Sequence, residues 1–110
     1  MDLARAALKD APAIEEVADN PESRAFLFEA RAYLSLLEGD IASAVGGWEE
    51  AIKIYKSREY PVFQSRCLSE AARTLAGQSE IEARYRALAI NWLQEARAIY
   101  ERLGAHGPLR

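Results

Sequence analysis

Three features of the sequence predict an all-α fold. Alanine, the strongest helix former, occurs 21 times in 110 residues. Glycine and proline together number only 10, and the four prolines fall where a helix would begin or has already ended. Outside helical contexts, no segment alternates apolar and polar residues over four or more positions, so no strand is predicted.

The first clear helix is predicted between Pro21 and Gly39. Asn20 is a good N-cap with proline after it, and glycine suits a helix C-terminus. Apolar residues recur around most of this helix, so we expect it to be buried on more than one side. Ahead of it, residues 2–11 and 12–18 predict one helix and a short second one.

Asp40 is predicted to cap the next helix, which runs to about Ser57. Gly46 and Gly47 lie in its interior, where two glycines cost on the order of 2 kcal/mol relative to alanine. We expect close approach of a neighbouring backbone to offset this cost. The alternative is a kink that opens a ligand cleft.

Two more helices are predicted in the second half of the chain. One spans about residues 61–77, from a proline to a glycine. The other is predicted to be capped by Ser79, because residues 79–82 have the capping-box spacing Ser-x-x-Glu. This last helix continues to Leu103 and stops at Gly104.

A repeat underlies the helices. Residues 44–55, with the pattern Ala-x-x-x-Trp-x-x-Ala-x-x-Ile-Tyr, reappear 45 residues later as Ala-x-x-x-Leu-x-x-Ala-x-x-Ile-Tyr at 89–100. A fainter copy of this second-helix pattern, Ala-x-x-x-Leu-x-x-Ala, lies at 4–11. The helices that precede the two full copies share Leu-x-Glu-Ala-x-x-x-Leu at 27–34 and 68–75, an offset of 41. Small residues seven apart around a large one let helices approach closely, and pairs built this way bury their faces by stacking.

These residues resemble the tetratricopeptide repeat, whose second helix carries Ala-x-x-x-aromatic-x-x-Ala after a Gly-Asp-like turn. Gly39-Asp40 followed by Ala44, Trp48 and Ala51 matches that pattern. The end of the last helix resembles repeat endings in bacterial signalling and transcription-activator proteins. The period of 41 to 45 residues exceeds the family's usual 34, and HEAT-like helix pairs are the competing assignment.

The resemblance implies antiparallel helix-pair repeats stacked as a short right-handed α-solenoid. On this basis residues 1–110 form a single helical domain with four parts. Residues 1–20 are a partial repeat or N-terminal cap, 21–59 the first repeat, 60–104 the second repeat, and 105–110 a flexible tail.

The composition argues against several classes of function. One histidine, His106, and one cysteine, Cys67, offer neither a catalytic pair nor a zinc site, so we predict no enzyme, no metal and no cofactor. A net charge of −3 argues against nucleic-acid binding. No apolar run approaches the roughly 18 residues of a membrane span and no signal-peptide layout is visible, so we expect no membrane partner and a cytoplasmic protein.

A peptide-binding groove is predicted on the first helix of each repeat. Its residues are Arg24, Phe28, Arg31, Arg66, Ser69 and Arg73. The arginines of each pair are seven residues apart and share one stripe of their helix. Guanidinium groups suit carboxylates, so we expect an acidic or carboxylate-ended peptide anchored by Arg66 and Arg73. The alternative is that these arginines cover apolar surface and pair with nearby glutamates.

The sequence therefore predicts a non-catalytic protein–protein interaction module. It binds a partner peptide or helix through its helical-repeat surface, or it self-associates as a homo-oligomer through an exposed end of the solenoid. The alternative function is a small-ligand-sensing regulatory domain, as the resemblance to bacterial signalling proteins implies. In that case Gly46 and Gly47 would line the ligand cleft.

Overall fold

The computed structural model describes residues 20–78 and 81–104, and its regular structure there is entirely α-helical, with no strand. In chain order the helices are α1 (Pro21–Leu37), α2 (Ile41–Ser57), α3 (Pro61–Ala76) and α4 (Ala83–Leu103). The prediction of an all-α protein is confirmed. The helices and partial repeat predicted before residue 20, and the predicted tail at 105–110, lie outside the described residues.

The first two helices begin and end as their capping residues predict. The Asn20 side chain accepts a hydrogen bond of 2.8 Å from the backbone amide of Ser23. Oδ1 of Asp40 accepts from the amide of Ser43 at 3.0 Å, and Oδ2 accepts from the hydroxyl of the same serine at 2.7 Å. Gly39 lies between the helices at φ +82°, a left-handed conformation that glycine adopts without strain.

The start of α4 differs from the prediction. Ile81 and Glu82 precede the helix, and Glu82 is its N-cap, with an extended backbone and no side-chain capping hydrogen bond. The predicted helix start is therefore wrong, because α4 begins three residues later than a cap at Ser79 implies; residues 79 and 80 themselves lie outside the described residues. Ile81 is only 7% exposed although it lies outside the helix, so burial of this side chain overrides the local capping signal. The helix ends as predicted, at Gly104 with φ +68°.

The first compact unit of the chain ends at Arg58, and α1 and α2 form its helix pair. The two helices run antiparallel, because Glu29 contacts Tyr55 whereas Tyr33, further along α1, contacts Trp48, which is earlier in α2. The buried residues of α2 form one face of the helix, and Trp48 and Tyr55 of this face contact α1. They include Ala44, Trp48, Ala51 and Tyr55, each with no exposed area.

The second compact unit begins at Glu59 and contains the α3–α4 pair. Its core consists mainly of alternating large and small apolar side chains. These are Leu68, Ala71, Ala72 and Leu75 of α3, and Ala89, Trp92, Ala96 and Ile99 of α4. Within the part of the chain that is described, no helix combines the length and the apolar composition needed to cross a membrane.

Candidate functional site

Gly47 permits a very close approach of α1 and α2. A Cβ atom at this position would lie 2.9 Å from the carbonyl oxygen of Phe28 and 3.1 Å from the Cβ of Ala32. The predicted close contact is confirmed for Gly47. Gly46 differs, because a Cβ atom there would meet no atom of the described residues within 4 Å. Packing therefore accounts for one of the two helix-interior glycines and leaves the other without a packing role.

A groove of about 440 Å³ runs along α1 and α2 past both glycines. We call it the α1–α2 groove. Two of the predicted site residues, Phe28 and Arg31, line it, together with the acidic side chains of Glu38 and Glu50. Gly46 thus exposes helix backbone to an open groove rather than to a packed neighbour.

A larger groove of about 680 Å³ lies between α3 and α4. We call it the α3–α4 groove. From α3 it is lined by Arg66, Ser69, Glu70 and Arg73, and from α4 by Leu93, Ala96, Arg97, Tyr100 and Glu101. Three of the six predicted site residues therefore come together in one groove.

The other predicted site residues lie in the first unit. Phe28 and Arg31 line the α1–α2 groove, whereas Arg24 is half-buried on α1 and lines neither groove. Sequence reasoning missed Arg97 and Tyr100, because it considered only the first helix of each repeat. The repeat aligns Tyr100 with Tyr55, which is fully buried, so the alignment indicated a core position rather than a groove position.

Ion pairs divide the arginines of the α3–α4 groove into two kinds. Nη1 of Arg66 donates to Oε1 of Glu70 at 3.0 Å, and Nε of Arg97 donates to Oε2 of Glu101 at 3.2 Å. Both pairs join side chains four residues apart on one helix. Arg73 is exposed and forms no ion pair with any described side chain. Its guanidinium group is therefore available to a ligand.

The repeat alignment shows what is unusual about this groove. At the offset of 41, Arg66 and Arg73 correspond to Ala25 and Ala32 of the first repeat, and both alanines have no exposed area. The second repeat thus carries guanidinium groups where the first has buried methyl groups. Alanine at these positions allows a neighbouring helix to approach closely, whereas arginine prevents it. The arginines therefore indicate that this surface is not covered by a closely packed helix.

A glutamate and a tyrosine at aligned positions are also buried in the first repeat and more exposed in the second. The hydroxyl of Tyr55 donates a hydrogen bond of 2.8 Å to Oε2 of Glu29, and both side chains are buried. Their counterparts, Glu70 and Tyr100, line the open α3–α4 groove. Polar groups that are enclosed in the first helix pair are accessible to a ligand in the second.

The described cysteine and carboxylate side chains form no metal site, and the single cysteine is buried. Within residues 20–78 and 81–104, no group of three His, Cys, Asp or Glu side chains is arranged to hold a metal ion. Cys67 is fully buried in α3, where it packs as a small apolar side chain. His106 lies outside the described residues.

The fold and its grooves define an all-helical protein with two helix pairs, the second with an arginine-lined groove. The second pair is also antiparallel, because Gln64 near the start of α3 donates a hydrogen bond to Glu95 in the second half of α4. Comparison with protein-family models gives no match, and no curated protein or solved structure matches the chain. The resemblance to the tetratricopeptide repeat therefore depends on the sequence pattern alone. It stays a prediction, as does the stacking of the pairs into a solenoid.

Proposed function

We propose that this protein is a non-catalytic interaction module that binds an acidic segment of a partner protein in the α3–α4 groove. The observation that carries the proposal is the presence of Arg66 and Arg73 where the first repeat has buried alanines. Planar guanidinium groups bind carboxylates through paired, charge-assisted hydrogen bonds. In this proposal the helix pairs stack as a short right-handed α-solenoid of the tetratricopeptide kind, in a cytoplasmic protein.

The groove arginines have different roles in this proposal. Arg73 is the first anchor, because no described side chain pairs with it. Arg66 and Arg97 exchange their intrahelical glutamate partners for carboxylates of the ligand. The exchange costs little, since exposed pairs four residues apart on a helix contribute only about 0.3–0.5 kcal/mol. The groove's three arginines outnumber its two glutamates, which gives a formal charge of +1 that favours an acidic ligand.

Self-association through the same surface is the competing function. A second copy would have to bury the guanidinium group of Arg73, which forms no ion pair with any described side chain, and an unpaired buried charge is strongly unfavourable. Molar mass measured across a dilution series separates the two functions. An interaction module for other proteins stays at 12.3 kDa, whereas self-association gives a mass that rises with concentration.

Charge reversal in the groove tests the proposed function. The probe is a fluorescein-labelled, end-capped peptide of glutamate and leucine, and its glutamine counterpart serves as the neutral ligand. We expect the double variant Arg66→Glu and Arg73→Glu to weaken binding of the acidic peptide at least roughly tenfold, with unchanged far-UV circular dichroism.

The matched control is the double variant Arg84→Glu and Arg102→Glu. Both control arginines are exposed on α4 and line neither groove, and the change in net charge is identical. Equal losses of affinity in the two double variants would show that only overall charge matters. Equally tight binding of the glutamine peptide would also contradict the proposal.

A small-ligand sensor is the second candidate function, and one observation favours it. Gly46 lines the α1–α2 groove although packing does not require a glycine there. A screen of small metabolites by thermal shift tests this function, because a ligand that binds only the folded state raises the melting temperature. A ligand in this groove should lose its effect in the Gly46→Ala variant.

A further inference from the structure

We propose that the ligand of the α3–α4 groove is an amphipathic helix, with carboxylates along one edge and aliphatic side chains along the adjacent edge. This inference rests on the proposed function of the groove and adds the secondary structure and the residue pattern of its partner. Three features of the groove support it: the chemistry of its two walls, the kind of element that forms them, and the spacing of the arginines.

The two walls of the groove differ in chemistry. The α3 wall presents Arg66, Ser69, Glu70 and Arg73, all of them polar or charged. The α4 wall carries the Arg97–Glu101 ion pair, and it also presents apolar surface at Leu93, which is 39% exposed, and at the ring of Tyr100. Ile90 precedes Leu93 by three residues and is 51% exposed, so it extends this apolar surface by about one helical turn. A ligand that fits both walls carries charge toward α3 and an apolar surface toward Leu93 and Ile90 of α4.

Both walls are the sides of helices, and this favours a helical ligand. Within α3 and α4 the backbone groups bond to one another along each helix, so the walls have no free row of backbone donors and acceptors to offer. An extended ligand would bring its own unpaired backbone groups into the groove. A helical ligand satisfies its backbone internally and contacts the walls through side chains alone.

The spacing of the arginines also fits a helix. Arg66 and Arg73 are seven residues apart on α3, which corresponds to about 10.5 Å along the helix axis. Carboxylates seven residues apart on a ligand helix have the same spacing. On an extended ligand, side chains of one face recur about every 6.8 Å, so no multiple of that spacing equals the separation of the arginines.

Two peptides of identical composition test the inference. Both are end-capped, fluorescein-labelled and built from glutamate, leucine and alanine. In the patterned peptide the glutamates follow one helical edge at intervals of seven and the leucines follow the next edge. In the shuffled peptide glutamate and leucine alternate. We expect the patterned peptide to bind at least roughly tenfold more tightly in fluorescence anisotropy and to gain helical circular dichroism when bound.

Variants of the apolar wall add a second readout. We expect Leu93→Ser to weaken binding of the patterned peptide about fivefold or more, because it removes apolar surface that the ligand covers. Leu93→Met keeps that surface and should retain binding, which separates loss of contact from loss of folding. Leu103→Ser is the matched control, since Leu103 is 44% exposed on the same helix and does not line the groove.

The outcomes separate this inference from the proposed function. If the shuffled peptide binds as tightly, without gain of helicity, and charge reversal at Arg66 and Arg73 still abolishes binding, the ligand is extended. The helix inference is then overturned while the acidic-ligand function stands. If neither peptide binds the unmodified protein, both fail. If binding is insensitive to Leu93→Ser, the apolar edge of the proposed ligand is wrong.

Discussion

Tyr55 and Glu29 form a buried hydrogen bond between α1 and α2, with the phenol hydroxyl donating to the carboxyl Oε2 at 2.8 Å. The two residues are 26 positions apart in the chain, so their contact fixes the register of the helix pair. Phe26 packs edge-on against the same tyrosine ring, with ring centroids 6.2 Å apart. The glutamate and the tyrosine recur in the second repeat as Glu70 and Tyr100, where they line the α3–α4 groove.

Tyr55→Phe should therefore destabilise the protein by about 1–3 kcal/mol, because the buried Glu29 carboxyl group loses this hydrogen-bond donor. Urea denaturation measures the effect as a lower midpoint with an unchanged slope. Tyr100→Phe is the matched control and should change stability by no more than about 0.5 kcal/mol, since this tyrosine is only half-buried. If both variants lose the same free energy of unfolding, the buried hydrogen bond of Tyr55 does not account for its effect.

Alanine at the two helix-interior glycines should change stability in opposite directions. Gly46→Ala should stabilise the protein by about 0.5–1 kcal/mol, because the methyl group meets none of the residues in the described part of the chain and the helix propensity improves. Gly47→Ala should destabilise it by about 1–3 kcal/mol, since the methyl group would lie 2.9 Å from a backbone oxygen of α1. Thermal unfolding of both variants checks this, and a stabilising Gly47→Ala would mean that α1 and α2 separate readily.

Local signals in the sequence predicted most of the fold, because helix ends depend on residues within a few positions of one another. Asn20 and Asp40 cap the helices they were expected to cap, and Gly104 ends α4. The start of α4 differs from the prediction because Ile81, inside the predicted capping box, is buried outside the helix, and this tertiary effect outweighs the local capping signal. The Ser-x-x-Glu spacing is a local pattern, and it carries no information about which apolar side chains the fold will bury.

The candidate site was partly predictable for the same reason. Helical periodicity identified Arg66 and Arg73 as neighbours on one stripe of α3. It could not identify Arg97 and Tyr100, which complete the groove from α4, because that requires the packing of one helix against another. Nor could it separate Gly46 from Gly47, since only the position of α1 makes one of them necessary.

The N-caps of α2 and α4 should respond to substitution in opposite ways. Asp40→Ala should cost about 1 kcal/mol, because it removes the hydrogen bond to the amide of Ser43. Glu82 makes no capping hydrogen bond and has an extended backbone, so Glu82→Ser should stabilise by about 0.5–1 kcal/mol. Its ion pair with Arg84 is exposed, and its loss costs only a few tenths of a kcal/mol. Urea denaturation measures both effects, and a destabilising Glu82→Ser would contradict this assignment of the helix start.

Glu70→Gln should raise the affinity of the α3–α4 groove for the patterned acidic peptide by about two- to fivefold. Glu70 holds Arg66 at 3.0 Å, so its neutralisation releases the guanidinium group to the ligand and removes a repelling charge. The gain should shrink as salt concentration rises, because exposed charges are screened. Fluorescence anisotropy at two ionic strengths measures both effects.

Glu49→Gln is the matched control. It makes the same change in net charge on an exposed residue of α2 that lines neither groove, and it should leave the affinity unchanged. An equal gain in both variants would assign the effect to overall charge and remove Arg66 from the binding site.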